Sequence, residues 1–130
     1  LERQCQNAQV IAEWLQKQPQ VDRVYFPGLP DHPGHQLIQQ QADGFGAMLS
    51  FRVTSPARAR QILERIKLIS FAESLGGVES LLTLPSIQTH GDIPEAERQR
   101  LGICDALLRL SVGCEDVNDL LTDLQQALAD

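Results

Sequence analysis

The sequence predicts a small α/β (α+β) domain, a mixed or mainly antiparallel sheet of about four or five strands with helices packed on one face. Three observations carry that expectation. Helix-period and strand-period segments interleave along the chain, the connections between strands are both short and long, and no Gly-rich strand-to-helix turn of the doubly wound kind is present. At 130 residues, 42% hydrophobic and 22% charged, the chain fits one domain able to bury a core without disulfide or metal staples.

Leu1, Cys5, Ala8, Ala12 and Leu15 recur at three- and four-residue steps, and Val10, Ile11 and Trp14 widen the stripe. This predicts an amphipathic helix, with Leu1 already inside it, ending near Pro19. VDRVYF reads as a short strand. Pro27, Gly28, Pro30, Pro33 and Gly34 enforce a loop, after which HQLIQQQA can form a brief helix. FGAMLSFRV is a strand rich in apolar and aromatic residues and weakened by Gly46. Ser55 followed by Pro56 marks a helix start, N-cap then first helical position, with Ala59, Ile62, Leu63 and Ile66 as its stripe.

LISF reads as a strand running into FAESLGGVES, and VESLLTL as a further strand. Asp92 with Glu95 resembles a capping box for a short helix through Leu101. In LLRLSVG, Leu108, Leu110 and Val112 share one face while Leu107, Arg109 and Ser111 share the other. Asp116 caps the last helix, whose apolar face is Val117, Leu120, Leu121, Leu124, Ala127 and Leu128.

A net charge of −6 with no offsetting Lys/Arg cluster argues against nucleic acid as a partner. No apolar run approaches the ~20 residues that span a bilayer, so no membrane segment is expected. Cys5, Cys104 and Cys114 show no Cys-x-x-Cys spacing, which argues against a disulfide framework and a zinc site and suits a reducing cytoplasm. The first residues lack the apolar core of a signal peptide. The absence of an initiator Met suggests a piece of a longer protein.

Several residues invite a chemical reading. His32 and His35 are spaced for metal only if a helix held both, and Pro33-Gly34 turns the chain between them. Cys104 or Cys114 as nucleophile would need a base that nothing in the sequence brings near. Arg109 is different. An Arg within an apolar strand is costly unless its guanidinium finds a partner, either a structural carboxylate or a ligand carboxylate gripped by its planar fork. ESLGG reads as a Gly turn with exposed Glu73 and Ser74, or as a ligand site that needs close backbone approach.

FAESLGGVESLLTLPSIQTHGDIPEAERQRLGICDALLRLSVGCEDVNDLLTDLQQAL resembles the C-terminal part of the Cys/Met-metabolism family of pyridoxal-phosphate enzymes, which includes cystathionine γ-synthase, γ-lyase and β-lyase. Upstream, VDRVYFPGLPDHPGHQLIQQQADGFGAMLSF is similar to the family's V-Y-P-G-L…H-P-x-H…G-F-G-x-M-x-S-F segment, so the likeness covers nearly the whole chain. The resemblance implies that residues 1–130 are the small C-terminal domain of a fold-type I enzyme. The large domain that binds pyridoxal 5′-phosphate would lie outside the chain. The family's Ser-x-Thr-Lys motif, which carries the Schiff-base lysine, is absent here, and Lys17 and Lys67 are in the wrong context to replace it. The chain alone is therefore expected to be inactive, and the intact enzyme to be a homodimer or homotetramer.

The same resemblance implies the site. Arg109 of RLSVG corresponds to the arginine that grips the substrate α-carboxylate, and Ser74 to the serine that steers the lysine amine during proton transfer at Cα. Leu75 lines the same pocket with its backbone, and Thr89 of QTH helps hold the arginine. Glu73 occupies the position that varies with reaction preference and is acidic in many γ-acting members. A carboxylate there favours the amino group of cystathionine or of incoming cysteine, which points to a synthase acting on homoserine esters before a γ- or β-lyase. Two readings of other classes remain: a free-standing amino-acid-binding regulatory domain, and a purely structural or dimer-forming piece.

Overall fold

The computed structural model describes residues 1–86, 93–101 and 104–129. Along them run α1 (Glu2–Gln16), β1 (Val21–Tyr25), α2 (His35–Gln41), β2 (Met48–Val53), α3 (Pro56–Arg65), β3 (Ser70–Phe71), β4 (Leu81–Thr83), α4 (Glu95–Arg100), β5 (Leu107–Ser111) and α5 (Val117–Leu128). The strands form one sheet in the order β1-β2-β5-β4-β3. Every neighbouring pair is antiparallel except β3 and β4, which are parallel. The mixed, mainly antiparallel sheet expected from the interleaved pattern is what the chain forms.

Period-two alternation sorts the sheet into two faces. Leu49, Phe51 and Val53 of β2 are buried with Leu108 and Leu110 of β5 and with Leu82 and Val112. Against them α1 supplies Ala8, Ile11, Ala12 and Leu15, α3 supplies Ala59 and Ile62, and α5 supplies Leu120, Leu124, Ala127 and Leu128. Each large side chain so buried contributes about 1.5–3 kcal/mol. The starts of α3 and α5 are capped as their residue types predict. Ser55 Oγ accepts from Arg58 N at 3.1 Å, and Asp116 Oδ1 accepts from Asn118 N at 2.8 Å.

Local differences from the sequence reading each have a cause. The buried face of α1 includes Gln4 and Asn7, while Leu1 and Val10 are exposed, because both amides serve backbone carbonyls of other elements. The second strand begins only at Met48, since Gly46 takes a φ of 83° that breaks extended pairing. LISF pairs over Ser70–Phe71 alone. Val78, Glu79 and Ser80 belong to a loop and not to the strand, which is Leu81–Thr83. Asp92 of the expected capping box lies outside the described residues; the helix it would cap is Glu95–Arg100.

The shortness of β3 traces to one carboxylate. Asp123, buried on α5, accepts from Lys67 N at 2.8 Å, Leu68 N at 2.9 Å and Ile69 N at 2.8 Å. These amides lie just before β3 and are consumed by the turn out of α3, so pairing can start only at Ser70. The same carboxylate fixes where the chain re-joins the sheet. Asp123→Ala should lower unfolding free energy by about 3 kcal/mol, because it leaves three backbone donors without their acceptor. Urea denaturation checks this, and Asp123→Asn, which keeps acceptor capacity on one oxygen, should cost less.

Candidate functional site

β5 is the central strand, and its second face is polar. Arg109 sits between Ser50 of β2 and Thr83 of β4, and Ser111 between Met48 and Leu81. Farther out on this face, Arg52 pairs with Arg23 and Ser50 with Tyr25. Three arginines thus share one side of the sheet, and their partners distinguish them. Arg52 Nε donates to Asp22 Oδ2 at 2.8 Å, and this hydrogen bond is the main cause holding its pKa above the ordinary value. The Arg23 guanidinium stands 4.9 Å from the centre of the Tyr25 ring, a cation–π contact. Arg109 is half-buried and, among the described residues, donates only to a carbonyl, from Nη2 to Glu73 O at 3.0 Å. Among the described residues it is the arginine of this face with no carboxylate or ring partner.

That carbonyl belongs to the loop between β3 and β4, which Arg109 and Ser111 tie to the polar face. Beyond Glu73, Gly76 N donates to Ser111 Oγ at 2.8 Å. Gln4 Nε2 of α1 donates to Gly77 O at 2.8 Å. Cys114 N donates to Val78 O at 2.9 Å. Glu115 takes both Ser80 N and Ser80 Oγ at 2.8 Å, and Ser80 Oγ in turn accepts from Gly113 N at 2.8 Å. Two glycines make this route possible. Gly76 has a φ of 79°, in the left-handed region, and a Cβ on Gly113 would stand 2.3 Å from Val78 O.

The predicted site residues fall as follows. Glu73, Ser74 and Leu75 are exposed and consecutive on the loop, and Arg109 reaches the peptide that joins the first two. Thr89 lies outside the described residues. His32 and His35 do not face a common ligand: His32 Nδ1 accepts from Gly34 N at 3.0 Å, while His35 Nδ1 contacts Pro27 O at 2.7 Å and its ring stacks on Phe45. Among the described residues no group of three His, Cys, Asp or Glu could hold a metal, the three cysteines are unpaired, and no helix is long and apolar enough to cross a membrane. Sequence reasoning missed Ser111, Ser80, Glu115 and Gln4. Ser111 was within reach, being two residues from Arg109 on the same face; Gln4 gave no signal.

The arrangement can bind an anion and orient it. The guanidinium spends one donor on Glu73 O, so further donors remain for a carboxylate arriving on the polar face next to the loop that carries Glu73 and Ser74. It offers no anchoring amine. Lys17 ends α1 and Lys67 follows α3, two helices that cover the opposite face of the sheet.

A model of the family "Cys/Met metabolism PLP-dependent enzyme" matches residues 1–129. The chain is 51% identical to a cystathionine β-lyase of Coxiella burnetii and 53% identical to a cystathionine γ-lyase of Dictyostelium discoideum, in each case over 98% of this chain and 33% of the relative. Among solved structures it is similar to the cystathionine γ-synthase of Xanthomonas oryzae pv. oryzae in complex with aminoacrylate and cysteine, at a TM-score of 0.94 and 46% identity, over 98% of this chain and 33% of that one. The cystathionine γ-lyase of Lactobacillus plantarum complexed with L-serine gives 0.93 and 42%, with the same coverage. The chain therefore spans about a third of the length of the proteins it matches.

Gly113→Ala should cost about 2 kcal/mol, because the added methyl meets the Val78 carbonyl and the loop must move. Amide exchange at Gly76 and Gly77 should accelerate in the same variant, while exchange in β1 and β2 stays slow.

Proposed function

The chain belongs to the Cys/Met metabolism family of PLP-dependent enzymes, and from that premise we propose that it is the C-terminal, substrate-side domain of a longer γ-acting transsulfuration enzyme, a cystathionine γ-synthase before a lyase. Arg109 carries the reading. Among the described residues it is the arginine of the polar sheet face without a carboxylate or ring partner, in a chain of net charge −6. An α-carboxylate supplies the missing partner bidentately, and this fixes the direction from which the rest of an amino acid leaves the clamp. The Xanthomonas synthase, solved with cysteine and with cystathionine, supports an amino-acid ligand.

Each remaining residue has a task relative to that carboxylate. Ser74 holds its hydroxyl beside Cα and guides the amine that takes the Cα proton. Leu75 offers its backbone to the same pocket. Glu73 accepts from the distal ammonium of cystathionine, or from incoming cysteine, through a charge-assisted hydrogen bond. Pyridoxal phosphate is the family's cofactor. The residues described do not fit its attachment, since neither Lys17 nor Lys67 lies on the Arg109 face. The anchoring lysine belongs in this reading to a large domain elsewhere in the polypeptide, and the full enzyme is a homodimer or homotetramer.

The identities of 51% and 53% to lyases favour a second reading, in which the same site performs elimination. Products separate the two in the full-length enzyme. A synthase joins a homoserine ester to cysteine, releasing the ester's acid and forming cystathionine. A γ-lyase takes cystathionine and water to cysteine, 2-oxobutanoate and ammonia, whereas a β-lyase yields homocysteine, pyruvate and ammonia.

Arg109→Lys in the full-length enzyme should lower kcat/KM about thirtyfold, mostly through KM, because a two-point contact worth about 2 kcal/mol becomes one-point. An unaltered KM would sink the carboxylate assignment. Calorimetry of the chain alone adds a check: tight binding of cystathionine without pyridoxal phosphate would favour a free-standing amino-acid-binding domain instead.

A further inference from the structure

We propose that Ser111 is a positioning residue for Ser74, an inference that rests on the role given to Ser74 above. The loop is pinned at two points on the polar face of β5. Arg109 holds Glu73 O, the acceptor of the peptide that joins Glu73 to Ser74, and Ser111 Oγ accepts from Gly76 N at 2.8 Å. Only Ser74 and Leu75 lie between the two pins. The side chains that do the pinning are two residues apart on one strand, so their spacing is set by the sheet and not by the loop.

The two pins act differently. Arg109 is half-exposed and has a ligand carboxylate to bind, whereas Ser111 is 2% exposed and meets no substrate from where it sits. Its partner Gly76 is the residue with the left-handed φ of 79°. Glycine samples both signs of φ readily, so without the hydroxyl acceptor the amide of Gly76 loses its tie to β5, and the next holds come only at Gly77 O and Val78 O. Ser74 then spreads over several orientations while the carboxylate clamp stays intact. Ser111 thereby converts the rigidity of the central strand into the orientation of one exposed hydroxyl, and its loss should register in turnover more than in affinity.

The test is a double-mutant cycle in the full-length enzyme with pyridoxal phosphate bound, using Ser74→Ala, Ser111→Ala and the pair. Ser111→Cys, which conserves packing but accepts hydrogen bonds weakly, repeats the cycle in case the alanine variant does not fold. Ser111→Ala and Ser111→Cys should each lower kcat about tenfold with KM within about threefold of wild type. The pair should be no slower than Ser74→Ala alone, because Ser111 acts through Ser74. Full kcat in both Ser111 variants, or losses that multiply in the pair, would overturn the positioning role while leaving Ser74 in place. Full kcat in Ser74→Ala would show instead that the reading of Ser74 itself fails, and the proposal with it.

Discussion

The side chains of β5 obey a period of two, and β5 is the strand from which both halves of the sheet take their register. Leu108 and Leu110 point into the helix layer; Arg109 and Ser111 point the other way. A slip of one residue would drive the guanidinium among Leu49, Phe51 and Leu82, and several kcal/mol of desolvation stands against that. The slip is also opposed past the strand's end, where Gly113 lies so close to Val78 O that a side chain in its place would force the loop to move. Core packing and the placement of Arg109 are therefore one constraint seen from two sides.

The loop between β3 and β4 combines exposed side chains at Glu73, Ser74 and Leu75 with a backbone tied down at several points. Ala72 N donates to Leu82 O, and the carbonyls of Glu73, Gly77 and Val78 and the amides of Gly76 and Ser80 all have partners on β5, α1 or the turn before α5. A segment without regular structure gains in this way much of the order of a strand. Glu73 and Ser74 are left to face solvent from a fixed backbone, the condition an orienting site requires.

Much of this was legible in the sequence, for definite reasons. Ser55-Pro56 and Asp116 announce helix starts through local chemistry, and the alternation in LLRLSVG reveals both faces of the central strand without any tertiary knowledge. Arg109, Glu73, Ser74 and Leu75 could be singled out, by chemistry for the first and by family resemblance for the others. What stayed hidden depends on contacts distant in sequence. Asp123 looks like an ordinary helical acid until the amides of Lys67, Leu68 and Ile69 are seen to converge on it. Gln4 looks like a solvated glutamine until Gly77 O is found beside it. Polar residues that satisfy a remote backbone have no periodicity to betray them.

The placement of β5 between β2 and β4 also governs when the fold can exist. A chain emerging from the ribosome makes β1 and β2 early, yet the outer edge of β2 has no partner until almost the whole domain has been synthesised. Until then Leu49, Phe51 and Val53 lie on a two-stranded ribbon that two strands alone do not stabilise. The parallel pair of β3 and β4, two residues deep, waits for the same strand. The sheet can therefore be completed only once β5 has been made, and the strand that completes it is the one that brings Arg109.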